Sequence, residues 1–163
     1  MRILAFAAAL MLAGCGFQLR GTATLPFDTL YMAVGGAGVA LDLKRNIQGG
    51  TTTVLVDDPS KADARLDLTQ ELRQKIILSL AATGRVREYK LVYTVGFRVH
   101  DGKGSDFVPA STIVLTRDVT FNDSDVLAKE TEEQLLYRDM QFDMVQQVMR
   151  RLAAAQKPKP AAQ

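Results

Sequence analysis

Residues 66–80 alternate between two classes of side chain with a period of two, and this alternation limits the possible folds more than any other feature. Most even positions are aliphatic, whereas the odd positions from Asp67 to Lys75 are polar or charged. Successive side chains of a β-strand point to opposite faces of a sheet, whereas each face of a helix would mix the two classes. The pattern therefore predicts a strand with one buried, aliphatic face and one hydrated face. At about 3.3 Å per residue this strand spans roughly 50 Å, so we expect it to bend or to project beyond the core.

Two more strands are predicted after this one, at residues 88–100 and 111–122. Each places aromatic and aliphatic side chains at alternate positions, and short glycine-containing turns precede both. Consecutive strands joined by short turns form an antiparallel meander. We expect its second face to lie in water or against another polar surface, because that face would carry Asp67, Thr69, Glu71, Arg73 and Lys75 of one strand and Lys90, Thr94 and Arg98 of the next.

Two helices are predicted, one before the meander and one after it. Residues 39–47 carry Val39, Leu43 and Ile47 at helical spacing. The chain from the last strand to about residue 155 carries a longer apolar stripe, made of Leu136, Met140, Met144, Val148 and Leu152. Short strands are predicted at 27–34 and 52–56. These elements predict an α+β fold, with a mixed, mostly antiparallel β-sheet of about four strands, two helices packed on one face and a long C-terminal helix.

The N-terminal region contains Cys15, the one cysteine of the chain. Arg2 precedes a run of eleven apolar residues, too few to span a bilayer, and small residues lie directly before the cysteine. This arrangement is typical of a bacterial lipoprotein precursor, which is cut before the cysteine and acylated on it. Since Gly16 rather than an aspartate follows, the expected location is the outer membrane, with the lipid anchor on its periplasmic side.

The leader and the composition predict four parts of the chain. We expect residues 1–14 to form a cleaved signal peptide, 15–25 a lipidated linker, 26–155 a single domain and 156–163 a disordered tail. The tail contains two prolines and no residue typical of a core. The mature chain would keep 149 of the 163 residues, an ordinary length for one domain.

The residue types that support catalysis or metal binding are sparse. Acylation would consume the one cysteine, His100 is the one histidine, and no Gly-x-Ser-x-Gly sequence is present. A single histidine does not make a metal site, and a serine without a base is a weak nucleophile. We therefore expect no enzymatic activity, no metal and no cofactor. Without Arg2, 19 basic residues face 18 acidic ones, and this balance argues against a nucleic-acid partner.

Two segments could contact phosphate groups. The glycine-rich loop at 35–38 joins a predicted strand to a helix and could hold an anion, but its spacing fits neither dinucleotide nor P-loop patterns, so a plain turn is favoured. Arg85 and Arg87 lie at the turn between the two longest strands, with Lys90 close behind. Arginines at the end of a hairpin can bind phosphate with two hydrogen bonds each, although a solubilising turn would have the same composition.

The segment from Cys15 to Gly21 resembles the start of the mature proteins of the LptE family of lipopolysaccharide-assembly lipoproteins. That family begins with cysteine, glycine, an aromatic residue, a variable residue, leucine and arginine, and Phe17, Leu19 and Arg20 fit this pattern. Later features agree in order and spacing across the mature chain: a strand that ends in a glycine loop, a helix, a long hairpin, and the residues 127–130 before the last helix.

This resemblance implies a partner and a ligand. Members of the family sit as a plug inside the large β-barrel LptD, in a one-to-one complex that delivers lipopolysaccharide to the outer leaflet. They are also thought to bind lipopolysaccharide through basic residues, for which Arg85, Arg87 and Lys129 are the candidates. Lys129 matches the family's lysine before the final helix, whereas the two arginines match only in general position. The alternative is a generic outer-membrane lipoprotein that binds a small ligand or a cell-wall component.

Overall fold

The computed structural model describes residues 23–33, 38–122 and 125–156. In chain order the elements are β1 (Thr29–Met32), α1 (Val39–Gly50), β2 (Val54–Val56), a single 3-10 turn (Pro59–Lys61), β3 (Ala64–Leu80), β4 (Val86–His100), β5 (Asp106–Thr120) and α2 (Val126–Ala153). The predicted signal peptide, Cys15, residues 35–37 of the glycine loop and the tail from residue 157 lie outside the described residues. None of the described helices is long and apolar enough to cross a membrane.

The strands form one mixed sheet in the order β2-β1-β3-β4-β5. β1 pairs in parallel with β2 and with the first residues of β3, whereas β3, β4 and β5 form the predicted antiparallel meander. The predicted α+β class is confirmed. The sheet has five strands rather than about four, because the three-residue β2 extends the parallel pairing at one edge.

One apolar core lies between the two helices and one face of the sheet. The predicted residues of α1 are fully buried, and so are four of the five residues predicted for the stripe of α2; Leu136 is partly buried. The sheet contributes the alternating side chains of β4, namely Leu91, Tyr93, Val95, Phe97 and Val99. Each such side chain stabilises the fold by about 1.5–3 kcal/mol relative to an exposed one, so this core fixes both helices on the same face.

β3 contains a β-bulge at Thr69, and this bulge changes which of its side chains face the helices. Leu68 pairs with Phe97, but the next pair joins Gln70 to Gly96, so β3 contributes one extra residue at this point. Paired residues of antiparallel strands lie on the same face of the sheet. Leu68 therefore lies on the core side with Phe97, whereas Gln70 lies on the opposite side, which we call the open face.

Gly96 accommodates the bulge because it has no side chain. A Cβ at position 96 would lie 2.6 Å from Thr69 Oγ1 and 3.4 Å from Gln70 Cβ. The first distance is shorter than real Cβ contacts allow, so the threonine hydroxyl occupies the space where a side chain would be. The two strands can therefore remain paired through the bulge.

The prediction of one continuous buried face on β3 is wrong beyond Leu68. Arg73 pairs with Tyr93 on the side of the helices. The aliphatic residues Leu72 and Ile76 lie on the open face instead, where they are 41% and 49% exposed. A shift of one residue moves the apolar set of a strand to the other face of its sheet, and the bulge has this effect within a single strand.

The open face differs from the predicted polar face for the same reason. Three successive rows across β3, β4 and β5 contain no charged residue: Gln70-Gly96-Thr112, Leu72-Thr94-Val114 and Gln74-Val92-Thr116. Charges return only in the next row, where Ile76 pairs with Lys90 and Lys90 with Asp118. Hydroxyl, amide and aliphatic groups therefore share the centre of this face.

Replacement of Gly96 tests the contact at the bulge. Gly96→Ala is expected to lower the free energy of unfolding by about 1–3 kcal/mol, because the new Cβ must displace Thr69 Oγ1 or distort the bulge. Thr69→Ala in the same chain removes the hydroxyl and is expected to recover most of this loss. Urea denaturation measures both changes.

Gly49 provides a matched control within α1. A Cβ at this position would have no atom within 4 Å. Gly49→Ala is expected to leave stability unchanged or raise it by up to about 1 kcal/mol, since alanine favours a helix more than glycine does. Equal unfolding free energies for Gly96→Ala and the parent chain would contradict the close packing of Thr69 on Gly96.

Candidate functional site

The predicted basic residues lie together at one end of the sheet, around the β3–β4 turn. Arg85 in the turn and Arg87 near the start of β4 are exposed. The N–H of Phe121 donates to the carbonyl oxygen of Arg87 at 2.8 Å, which places the end of β5 beside this residue. Lys129 lies near the start of α2, and its Nζ is 3.3 Å from Thr120 Oγ1. The fold thus brings a turn, a strand end and a helix start to one basic surface, which we call the basic end.

The ammonium group of Lys129 already has a partner on its own helix. Nζ donates to Glu132 Oε2 at 2.8 Å, and the lysine side chain is 21% exposed. An ion pair between residues three apart on a helix surface stabilises it by only about 0.2–0.5 kcal/mol. A phosphate group, which carries more negative charge than a carboxylate, can therefore take the place of Glu132 at small cost.

A cavity of about 160 Å³ lies beside Lys129, between the start of α2 and the sheet. Leu91 and Val119 line its sheet side together with the rings of Tyr89 and Phe121, which meet edge to face with centroids 5.3 Å apart. Val126 lines its helix side. The surfaces that β4 and the end of β5 contribute are therefore aliphatic and aromatic, whereas Lys75 of β3 adds a charged group.

The bulge also places polar side chains of β3 against the helices. Tyr93 Oη donates to Glu71 Oε1 at 2.5 Å and accepts from Arg73 Nη2 at 3.2 Å. Arg73 donates in addition to Gln141 Oε1 of α2 at 2.5 Å, and Gln141 Nε2 donates to Asp42 Oδ2 of α1 at 2.5 Å. This polar network, from Glu71 to Asp42, joins the sheet to both helices at the edge of the core.

Tyr93 remains neutral well into the alkaline range. Burial, together with the hydrogen bond to the Glu71 carboxylate, raises the pKa of Tyr93 to about 12, although the Arg73 guanidinium acts in the opposite direction. The phenol can therefore donate its proton to Glu71 at all ordinary pH values. Because Tyr93 does not titrate near neutral pH, its hydrogen bonds in the network do not change there.

Glu71 also lies where an anion at the start of α1 would bind. Its Oε2 and Oε1 lie 3.3 Å and 3.4 Å from the backbone nitrogen of Val39, which donates to them. Both oxygens lie 2.8 Å from the position that a Cβ on Gly38 would take. A carboxylate of the chain itself thus meets the positive end of the helix dipole. An anion at the described start of α1 would therefore meet a carboxylate, whereas residues 35–37 of the glycine loop lie outside the described residues.

His100 lies at the opposite end of β4 from the basic end. Its Nε2 is 2.9 Å from Asp67 Oδ2, and its Nδ1 accepts from the N–H of Gly102 at 3.0 Å. Both ring nitrogens therefore have protein partners. Among the described residues, no group of three or more His, Cys, Asp or Glu residues could hold a metal ion.

The polar network and the cavity were not predicted from the sequence. Uninterrupted alternation places Glu71 and Arg73 on the face away from the helices, so it gives no reason to connect them with Tyr93. The signal that could have revealed the change is Gly96, because an isolated glycine within a strand pattern indicates a bulge or a close backbone approach. The cavity has no comparable signal, since its residues come from four separate elements.

The fold and the basic end define a small α+β domain that presents cationic groups at one end of a long hairpin. Comparison with known proteins identifies its relatives. Residues 27–152 match the sequence model of the LptE family, described as lipopolysaccharide-assembly, and the chain belongs to this family. The chain is thus a lipoprotein of the Gram-negative envelope with a role in lipopolysaccharide transport.

Individual relatives agree with this assignment. The chain is 29% identical to the LPS-assembly lipoprotein LptE of Pectobacterium atrosepticum over 153 residues, which cover 89% of this chain and 80% of that protein. It is 30% identical to LptE of Yersinia enterocolitica over 149 residues, which cover 89% of this chain and 71% of that protein. The solution structure of an uncharacterized lipoprotein B from Nitrosomonas europaea is similar with a TM-score of 0.73 and 40% identity, over 85% of this chain and 91% of that one. The crystal structure of the rare lipoprotein B of Shewanella oneidensis shares the fold, with a TM-score of 0.65 and 24% identity over 77% and 94% of the two chains.

Removal of the Tyr93 hydroxyl should change how stability depends on pH. The unfolded chain releases this phenol proton near pH 10, whereas the folded chain keeps it until about pH 12. The unfolded state therefore binds fewer protons in this window, and stability falls as the pH rises through it. Tyr93→Phe is expected to show a smaller fall between about pH 10 and pH 12, measured by urea unfolding at several pH values.

Tyr31→Phe is the matched control for this measurement, because Tyr31 lies on β1, outside the polar network. Urea unfolding of Tyr31→Phe at the same pH values gives the effect of removing a tyrosine hydroxyl from outside the network. A decline in Tyr93→Phe as steep as that of the parent chain would show that Tyr93 does not hold its proton in the folded state as described.

Proposed function

We propose that this chain is a non-enzymatic plug and assembly factor of the β-barrel LptD, in a one-to-one complex that delivers lipopolysaccharide to the outer leaflet. Acyl chains on Cys15 anchor it to the periplasmic side of the outer membrane. Arg85, Arg87 and Lys129 contact phosphate groups of the lipopolysaccharide. Membership of the LptE family supports this role, because the named relatives are LPS-assembly lipoproteins.

The convergence of three basic residues on one end of the sheet is the observation that carries the lipopolysaccharide contact. Arg85 and Arg87 are exposed beside the end of β5, and Lys129 reaches the same strand end from α2. Guanidinium groups bind phosphate through two parallel hydrogen bonds, and an ammonium group adds a compact charge. A phosphorylated glycolipid can therefore meet several cations at once in this place.

The open face supports the position within a barrel. The inside of outer-membrane barrels is polar. The three central rows of the open face offer hydroxyl and amide groups but no charge, so they can meet such a wall without burying an unpaired ion. Aliphatic groups such as Leu72 and Val114 between them, which are partly exposed, would gain by being covered.

A single purification with two readouts tests both parts of the proposal. The full-length protein, tagged on its C-terminal tail, is expected to retain LptD in equal amount and to retain lipopolysaccharide. The double charge reversal Arg85→Glu with Arg87→Glu should keep the barrel but lose lipopolysaccharide several-fold, because two attractive charges become repulsive.

The matched control reverses the same number of charges elsewhere. Lys103 lies in the turn at the opposite end of the sheet, and Arg150 lies in the last turns of α2; both are exposed. Lys103→Glu with Arg150→Glu should keep both partners. Absence of LptD from the parent purification would contradict the plug and favour a generic lipoprotein, whereas unchanged lipopolysaccharide in the Arg85/Arg87 variant would identify that turn as a solubilising one.

A further inference from the structure

Both ammonium groups around the cavity beside Lys129 already have carboxylate partners. Lys75 Nζ contacts Glu133 Oε2 at 2.5 Å, and it also lies 4.3 Å from the centroid of the Tyr89 ring. The cavity and its immediate rim hold three carboxylates and two ammonium groups, from Glu130, Glu132 and Glu133 and from Lys75 and Lys129. An anion inside the cavity would therefore find no unmatched cation. The interior instead suits an uncharged group.

The wall of the cavity that β4 and the end of β5 form is apolar and firmly packed. Leu91 is fully buried and Val119 is 7% exposed. Tyr89 and Phe121 close this side with their edge-to-face contact. The volume of about 160 Å³ is close to that of a cavity of about 150 Å³ that binds benzene or xenon. A group of about six carbon atoms is thus the right size.

The helix above the cavity is held mainly by polar contacts. From Val126 to Asp139 no residue of α2 is fully buried, and burial begins at Met140. This half of the helix meets β3 through the Lys75–Glu133 ion pair and through Tyr137 Oη, which donates to the carbonyl oxygen of Gln74 at 2.8 Å. A helix segment whose apolar side chains, such as Leu136 and Tyr137, are only partly buried can move slightly while the core below stays packed. An occupant can therefore enter between α2 and the sheet.

We propose that this cavity binds the end of an acyl chain. The acyl chain is an unbranched, uncharged aliphatic group that fits both the apolar wall and the volume, and the two lysines at the rim lie where the polar part of an amphiphile would leave the cavity. The inference rests on the proposed function for its source, since lipopolysaccharide carries acyl chains next to its phosphate groups. The basic end would then bind the phosphates and the cavity one chain end of the same molecule.

A titration with 1-hexanol tests the cavity without a barrel or a glycolipid. The full mature chain with Cys15→Ser is used, because this change removes competing acyl groups. Methyl NMR signals of Leu91, Val119 and Val126 are expected to shift with 1-hexanol until they saturate, and inorganic phosphate should not shift them. Val126→Phe fills the mouth of the cavity and should weaken 1-hexanol binding by at least about tenfold, or about 1.4 kcal/mol.

Leu127→Phe is the matched control, because Leu127 is 81% exposed and does not line the cavity. It should bind 1-hexanol as the parent chain does.

In the purification described above, Val126→Phe should keep LptD and lower the retained lipopolysaccharide. Methyl signals that do not saturate in the parent chain, or equal binding by Val126→Phe, would overturn the proposal. The proposal is also overturned if the parent chain binds no 1-hexanol and Val126→Phe loses LptD. The cavity would then hold a side chain of the partner. Binding of 1-hexanol by a chain that retains no LptD would contradict the proposed function alone.

Discussion

The contact of Thr69 with Gly96 is the constraint on which the arrangement of this domain depends. One extra residue in β3 must fit opposite one residue of β4, and the hydroxyl of Thr69 fills the space where a side chain of residue 96 would be. Before this point the aliphatic residues of β3 belong to the core. After it, the charged residues Glu71, Arg73 and Lys75 face the helices, whereas Leu72 and Ile76 face outward. The bulge thus divides one strand into two halves with opposite orientation.

The cavity beside α2 and the exposed centre of the open face follow from this change of orientation. Because Arg73 and Lys75 face α2, polar contacts hold the first half of that helix to the sheet together with the partly buried Leu136 and Tyr137. The cavity remains under this half, where the sheet still presents Leu91 and Val119. The exposed centre of the open face is the other consequence, since Leu72 would be buried under the helices without the bulge. The cavity under this half of α2 and the uncharged sheet face therefore share one structural cause.

Much of the fold could be predicted from the sequence, because it depends on local periodicity. The alternation of β4 predicted its five buried apolar side chains, and the stripe of α2 predicted Met140, Met144, Val148 and Leu152. The class and the order of the elements followed from such patterns. The reversal within β3 could not follow from them, because a bulge preserves the alternation in the sequence while it reverses the faces in the structure. Only Gly96 indicated it.

The candidate site was predictable to a smaller extent. The positions of Arg85 and Arg87 followed from the turn, and that of Lys129 from the resemblance to the LptE family. Their convergence depends on the pairing of β4 with β5 and on where α2 begins, which no local pattern specifies. The ion pair of Lys129 with Glu132 and the cavity depend on packing between distant elements, and for that reason the sequence did not indicate them.

The most direct test of the change of faces in β3 is a set of NMR distance measurements between side chains of the full mature chain. The account predicts close contacts from Arg73 to Gln141 and from Lys75 to Glu133, together with contacts from Leu72 to Thr94 and from Thr94 to Val114 across the open face. Contacts from Leu72 and Ile76 to α2, with Arg73 and Lys75 turned away from it, would contradict the account.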